Sequence, residues 1–286
     1  MISDITLGQF FPGKSPIHRL DPRTKIILAT LFIVSVFIAG NPVSFAFLTL
    51  TTIILIAVSG ISFRVIRKSI KPIVFILIFT AILNVFMTKG EGEPLVSFWV
   101  LNIYTEGIAR AVMMALRVTL LIVGTSILLT YTTSPISLTD GLEALLSPLK
   151  KIGLPVHTFA MMMSIALRFI PTLVEETEKI MNAQKSRGAD FTSGSLAQRA
   201  KALIPLLVPL FVSSFKRAEE LATAMECRCY RGDKNRTKLV KLEYKGLDFV
   251  FMGIFILLLG GLICLTVLPY NYPSFGLIYD ILFFKV

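Results

Sequence analysis

The sequence predicts an all-α integral membrane protein of about five transmembrane helices, with a long cytoplasmic block between the fourth and the fifth. Three observations predict it. Of 286 residues, 54% are hydrophobic and 16% charged, with a mean hydropathy of +0.75, whereas a soluble domain carries about a quarter charged residues. The apolar residues gather in five runs near the roughly 17–25 residues that a spanning helix needs. The positive charge is also gathered: Lys150 to Lys245 holds 17 Lys/Arg against 9 Asp/Glu, +8 of the total +11. Lys and Arg collect on the cytoplasmic side of membrane proteins, so this block belongs there.

The spans are expected at about 26–40, 43–59, 72–88, 108–131 and 247–268. Lys14, Arg19, Arg23 and Lys25 precede the first, and Arg64, Arg67, Lys68 and Lys71 separate the second from the third. The link at 40–42 is uncharged, and the link at 89–105 sets Lys89 against Glu91 and Glu93. The N-terminus and the 60–71 link are therefore expected inside the cell and the 89–105 link outside. This gives three regions: membrane helices in 1–131, a cytoplasmic domain in 132–246, and a C-terminal membrane segment in 247–286. The run "FGLIYDILFF" at 275–284 offers a sixth, re-entrant piece. The first twenty-five residues hold Asp4, Asp21 and several prolines but no continuous apolar run, so no secretory signal is expected.

The interior block has its own order. Residues 137–151 alternate apolar and polar positions at helical spacing and are expected along the membrane surface. Residues 155–188 read as a helix that starts apolar ("FAMMMSIAL") and ends charged ("EETEKIMNAQKSR"), with Pro171 as a kink point. Residues 195–232 repeat the layout, from a Ser195/Gln198 capping box through "ALIPLLVPLFV" to "KRAEELATAMECR". Glu175–Lys179 and Lys216–Glu220 stand four residues apart and are expected to support these helices, as are Glu176, Glu178 and Glu219 nearby.

Chemistry-bearing motifs are few. "GQFFPGKS", Gly8 to Ser15, fits the phosphate-loop pattern, but that loop needs a strand before it and a helix opening at its Lys-Ser. Here polar residues precede it and Pro16 follows, so the match is fortuitous and no nucleotide is expected on this chain. His18 and His157 are far apart and have no ligand partners at useful spacing. Cys227, Cys229 and Cys264 make no disulfide framework. Asp140 and Glu143 suit a surface helix rather than acid–base chemistry. No catalytic residue, metal, cofactor or nucleic-acid partner is expected. Arg110 and Arg117 share a face of the fourth span, where arginine is costly; Arg110 is expected to snorkel to the interface and Arg117 to pair within the bundle.

The greasy-to-charged helices both end in arginine, at "KSRGAD" and "ECRCYRGD". One such arginine is adequately explained as a complement to the helix dipole, with Gly188 as the residue after the cap. Two with the same layout suit guanidinium groups that enter sockets on soluble partners and pair with carboxylates.

Together with "SPIHRLDPRTK" (15–25), "LRFIP" (167–171), "AQKSRGADF" (183–191) and "AMECRCYRGD" (224–233), these features resemble the T component of energy-coupling factor transporters, the EcfT/CbiQ family. The likeness runs in order along nearly the whole chain. It implies two long cytoplasmic coupling helices that cross and dock, by short arginine motifs, on two ABC-type ATPase subunits. By position these motifs are Ser186-Arg187-Gly188 and Cys227-Arg228-Cys229, which depart from the family's Ala-Arg-Gly-like pattern in having Ser and Cys before the arginines and Cys after the second. It also implies a membrane-embedded substrate-binding S component, for which Phe159, Met161, Met162, Met163, Leu206, Leu207, Val208 and Phe211 are candidate contacts. The function so implied is ATP-driven import of a vitamin or other micronutrient, with hydrolysis on the partner subunits. A secondary transporter would need ionisable groups and broken helices at the midplane, and a membrane enzyme a carboxylate or histidine cluster; the first three spans carry almost no internal charge, and no such cluster is visible.

Overall fold

The computed structural model describes residues 10–88, 96–98, 101–189, 191, 195–230, 232 and 242–267. They divide into two compact units, one holding Leu142–Lys241, the other combining Gln9–Gly141 with the chain from Leu242 onward. The expected sixth segment at 275–284 lies outside the described residues.

The larger unit is built from α1 (Pro22–Ile38), α2 (Pro42–Ser59), α3 (Phe63–Ile70), α4 (Val74–Met87), α5 (Thr105–Thr125) and α9 (Gly246–Val267). Helix α5 runs on as a π-helical turn, Ser126–Tyr131, and is followed by α6 (Pro135–Leu146), whose last residues enter the smaller unit. A two-stranded antiparallel hairpin, β1 (Val96–Phe98) and β2 (Leu101–Ile103), pairs Ser97 with Asn102 and is the one departure from the helical plan among the described residues.

Proline and aspartate start α1 in the usual way. Pro22 fixes the first helical φ, and the Asp21 carboxylate accepts from the Arg23 N–H at 2.9 Å. The core then forms from Leu28, Phe32 and Val36 of α1, Phe45 and Leu48 of α2, Leu120 of α5 and Phe255 and Leu262 of α9. Gly124, near the end of α5, has no room for a side chain, because a Cβ there would overlap the Phe32 ring. Arg117 does pair within the bundle: its Nη2 donates to the Ala39 carbonyl at 2.7 Å, and its guanidinium lies 5.3 Å from the Phe45 ring centroid. This answers one of the carbonyls left open where α1 ends.

A polar knot closes one end of this unit. Asp248 is fully buried and accepts from the Asp21 N–H at 2.8 Å and the Lys245 N–H at 2.7 Å. Lys25, 2% exposed, donates to the Thr132 carbonyl at 2.7 Å and the His18 carbonyl at 3.2 Å. Arg23 reaches the Leu242 carbonyl at 3.2 Å and lies over the Tyr244 ring. The starts of α1 and α9 and the end of the π turn are thereby held together.

By length and composition, Pro42–Ser59, Gly107–Tyr131, Val156–Ser186 and Gly246–Thr266 are able to cross a membrane, and α3 with α4 makes a fifth if the pair, bent by 57°, is one span. The membership differs from the sequence reading. The 17 residues of α1 reach about 26 Å, just short of the roughly 30 Å hydrocarbon core. Val156–Ser186, expected in the cytoplasm, qualifies through its apolar first half.

The smaller unit holds a 3₁₀ turn (Ser147–Ile152), α7 (Val156–Ser186) and α8 (Leu196–Cys227). Both long helices run unbroken through their internal prolines, Pro171 in α7 and Pro205 and Pro209 in α8. At 1.5 Å per residue each is roughly 47 Å long.

Candidate functional site

The candidate site is the pair of arginine-tipped ends of α7 and α8, whose backbone hydrogen bonds follow the same pattern. Where α7 ends, the Gly188 N–H bonds the Lys185 carbonyl at 2.9 Å and the Ala189 N–H bonds the Gln184 carbonyl at 3.0 Å. Where α8 ends, the Cys229 N–H bonds the Glu226 carbonyl at 2.8 Å and the Tyr230 N–H bonds the Met225 carbonyl at 3.0 Å. Both are the Schellman arrangement, with the arginine at the cap and a left-handed residue after it. That residue is Gly188 at φ 87° in one helix and Cys229 at φ 59° in the other. Glycine takes this conformation freely, whereas for cysteine it costs about 1 kcal/mol. Cys229 is the only described residue other than glycine with a positive φ, so the end of α8 holds its shape against a local cost.

Arg187, Gly188, Arg228 and Cys229 are all exposed, as are Ser186 and Cys227, the last residues of the two helices. Among the described residues neither arginine has a carboxylate within ion-pair distance. The Ser186 hydroxyl is turned back to the Asn182 carbonyl at 3.1 Å, so the guanidinium is the free polar group at that tip.

Among the described residues one ion pair ties the helices to each other, in which Arg217 Nη2 donates to Glu176 Oε2 at 2.8 Å. The expected Glu175–Lys179 and Lys216–Glu220 pairs do not close; the carboxylate that does pair reaches across to the other helix. Glu176 stands eleven residues before Arg187, and Arg217 eleven before Arg228. The pair and the tips share one offset of 41 residues, which is the signal in the sequence that would have located it. With both side chains partly solvated, a double-mutant cycle over Glu176→Gln and Arg217→Gln should give a coupling of about 1 kcal/mol. The swapped pair Glu176→Arg with Arg217→Glu should recover most of it in thermal unfolding. Additive single effects would show the contact to be idle.

The expected S-component contacts divide by exposure. Phe159, Met162, Met163, Leu207, Val208 and Phe211 are uncovered, with Phe159 at 67%, while Met161 is half-buried and Leu206 is 5% exposed. Leu206 is thus occupied in packing within the chain. Ser195 stands immediately ahead of α8 as expected, while the Gln198 side chain lies outside the described residues.

The other expected positions are local structure. Lys14 and Ser15 lie in loop and turn, with the first described helix opening only at Pro22, which is not how a phosphate loop is built. His18 is bonded to Ser15 and to the Phe11 carbonyl. His157 is held locally, its Nδ1 lying 2.9 Å from Glu143 Oε1. Among the described residues no group of three or more His, Cys, Asp and Glu side chains is placed to hold a metal ion.

Comparison with known proteins gives concordant matches. Residues 13–239 match the CbiQ family, described as cobalt transport protein. The energy-coupling factor transporter transmembrane protein EcfT of Clostridium kluyveri is 55% identical over 250 residues, 87% of this chain and 92% of that protein. The proteins of the same name from Bacillus subtilis and Acidaminococcus fermentans are 51% and 50% identical, covering 87% and 90% of this chain and 93% and 97% of theirs.

Proposed function

The chain belongs to the EcfT/CbiQ family of energy-coupling factor transporter transmembrane proteins, and on that premise we propose that it is the non-catalytic coupling subunit of an ATP-driven micronutrient importer in the cell membrane. Two ABC-type ATPase subunits bind its arginine tips, one at Ser186-Arg187-Gly188 and one at Cys227-Arg228-Cys229. A membrane-embedded S component carries the substrate and is gripped by the apolar stretches of α7 and α8. Movement of the ATPase pair on ATP binding and hydrolysis passes through the tips to those stretches and reorients the S component. The N-terminus and residues 132–246 face the cytoplasm.

The observation that carries this reading is the same backbone cap on both helices, each leaving a guanidinium exposed and, among the described residues, unpaired at its end. Helix termini of this kind present a planar donor to a partner carboxylate without rearrangement of their own backbone. Affinity purification of the chain from native membranes tests it. Two nucleotide-binding subunits and a small membrane protein should be recovered with it; a chain that purifies alone and transports alone would overturn the proposal. Orientation has a separate test in Asn182→Cys, placed on α7 close to its tip in a chain whose three exposed native cysteines, Cys227, Cys229 and Cys264, are replaced by serine. The thiol should react with an impermeant maleimide only after the cells are opened, and labelling of intact cells would reverse the topology.

A further inference from the structure

Helix α3 has two faces with different commitments. Ile66 is buried against Val123, Ile127 and Tyr131, and Ser69 hydrogen-bonds the Tyr131 hydroxyl, so one face is fixed. The other carries Arg64, Arg67, Lys68 and, one residue on, Lys71, all exposed and, among the described residues, none with a carboxylate within ion-pair distance. No Asp or Glu occurs in the sequence between Asp21 and Glu91. These four side chains, with Phe63 and Val74, line a groove of about 620 Å³ whose walls are mostly carbon, since the aliphatic stems form them. Phe63 is 72% exposed at the start of α3 and Phe75 78% at the start of α4, and α3 is bent by 57° from α4. If α4 crosses the bilayer, that bend turns α3 toward the membrane surface. Its aromatic ring then meets acyl chains and its cations meet the headgroup layer, as in interfacial helices.

We propose that this groove binds an anionic phospholipid of the adjacent leaflet, with the phosphate among Arg64, Arg67, Lys68 and Lys71 and an acyl chain against Phe63 and Val74. The charge is complementary, and the guanidinium groups match phosphate oxygens in the plane. The carbon walls favour a lipid over a free phosphate, which would leave them bare. An acidic protein segment would answer the cations but not the exposed apolar start of α4, which continues the same surface. The site needs no assumption about which side of the membrane α3 occupies.

The test is native mass spectrometry of the full chain released from nanodiscs of phosphatidylcholine with a minor share of phosphatidylglycerol. Phosphatidylglycerol should be retained in preference, and the preference should fall about fivefold for each cation neutralised, in Arg67→Gln and then Arg67→Gln with Lys68→Gln. Arg64→Lys with Arg67→Lys keeps the charge and should keep most of the preference. The unaltered chain gives a readout that depends on no variant: at about 1 M salt, where screening acts within roughly 3 Å, the preference should collapse. Equal retention of the two lipids, or a preference that ignores both salt and the glutamine changes, would overturn the proposal. So would displacement of the lipid by inorganic phosphate alone, which assigns a free anion, or by polyglutamate alone, which assigns an acidic protein segment.

Discussion

Replacing Arg187 and Arg228 together by alanine should nearly abolish uptake and strip the ATPase subunits from the purified complex. Truncating one partner of a buried, hydrogen-bonded charge pair at an interface costs about 2–5 kcal/mol, much of it from the stranded carboxylate on the other side. Each single change therefore weakens the proposed contact by about thirtyfold or more. The chain itself should still insert and fold, because both guanidinium groups are exposed and the dipole term they supply is only about 0.3–1 kcal/mol. The Schellman bonds at both ends run through backbone atoms, so alanine leaves the caps in place. Lysine should restore part of the function, since it keeps the charge but loses the planar fork. Uptake and co-purification measured side by side decide the matter. Normal values for both in the double variant would reduce the arginines to helix caps.

Asp248→Ala should prevent accumulation of a folded chain. The carboxylate is wholly buried and satisfies the N–H groups of Asp21 and Lys245, with the buried Lys25 ammonium in the same knot. Removing it leaves two buried N–H donors unsatisfied, each costing about 1–3 kcal/mol. It also takes away one of the two carboxylates, Asp248 and Asp21, whose charge acts on the buried Lys25 ammonium. A typical domain has about 5–15 kcal/mol to lose. Asp248→Asn keeps an acceptor but not the charge and should fall between the two. Expression yield and the thermal midpoint in detergent report the effect, and an unchanged midpoint in Asp248→Ala would show that the knot contributes nothing to stability.

The same residues show what a linear reading reaches. Hydropathy belongs to a run, so the expected 43–59 and 247–268 spans meet α2 and α9 to within a residue. Lys25 was legible only as a flanking positive charge, because its acceptor at Thr132 lies 107 residues away. The helix inside the 60–71 link was hidden by its cations, since Ile66 alone of its eight residues is buried. Arg187 followed by Gly188 announces its cap. Cys229 does not, because cysteine carries no preference for a left-handed backbone, and only the 41-residue offset puts it opposite Gly188. Glu176 was lost among five acidic residues of similar setting; nothing local separates a carboxylate that pairs along its helix from one that reaches the next helix.

With the Glu176–Arg217 contact taken as a pivot, the two ends have equal levers. Eleven helical residues make an arm of about 17 Å, and the arms of α7 and α8 are equal in length because the pair lies at the same register in both. About this pivot a swing of roughly 10° carries a tip through about 3 Å. Neither tip has mechanical advantage over the other, so a push of given size at Arg187 and at Arg228 yields the same torque. Two partners acting in step would open or close the arms like scissors, while one acting alone would rotate its own arm and load the ion pair in shear.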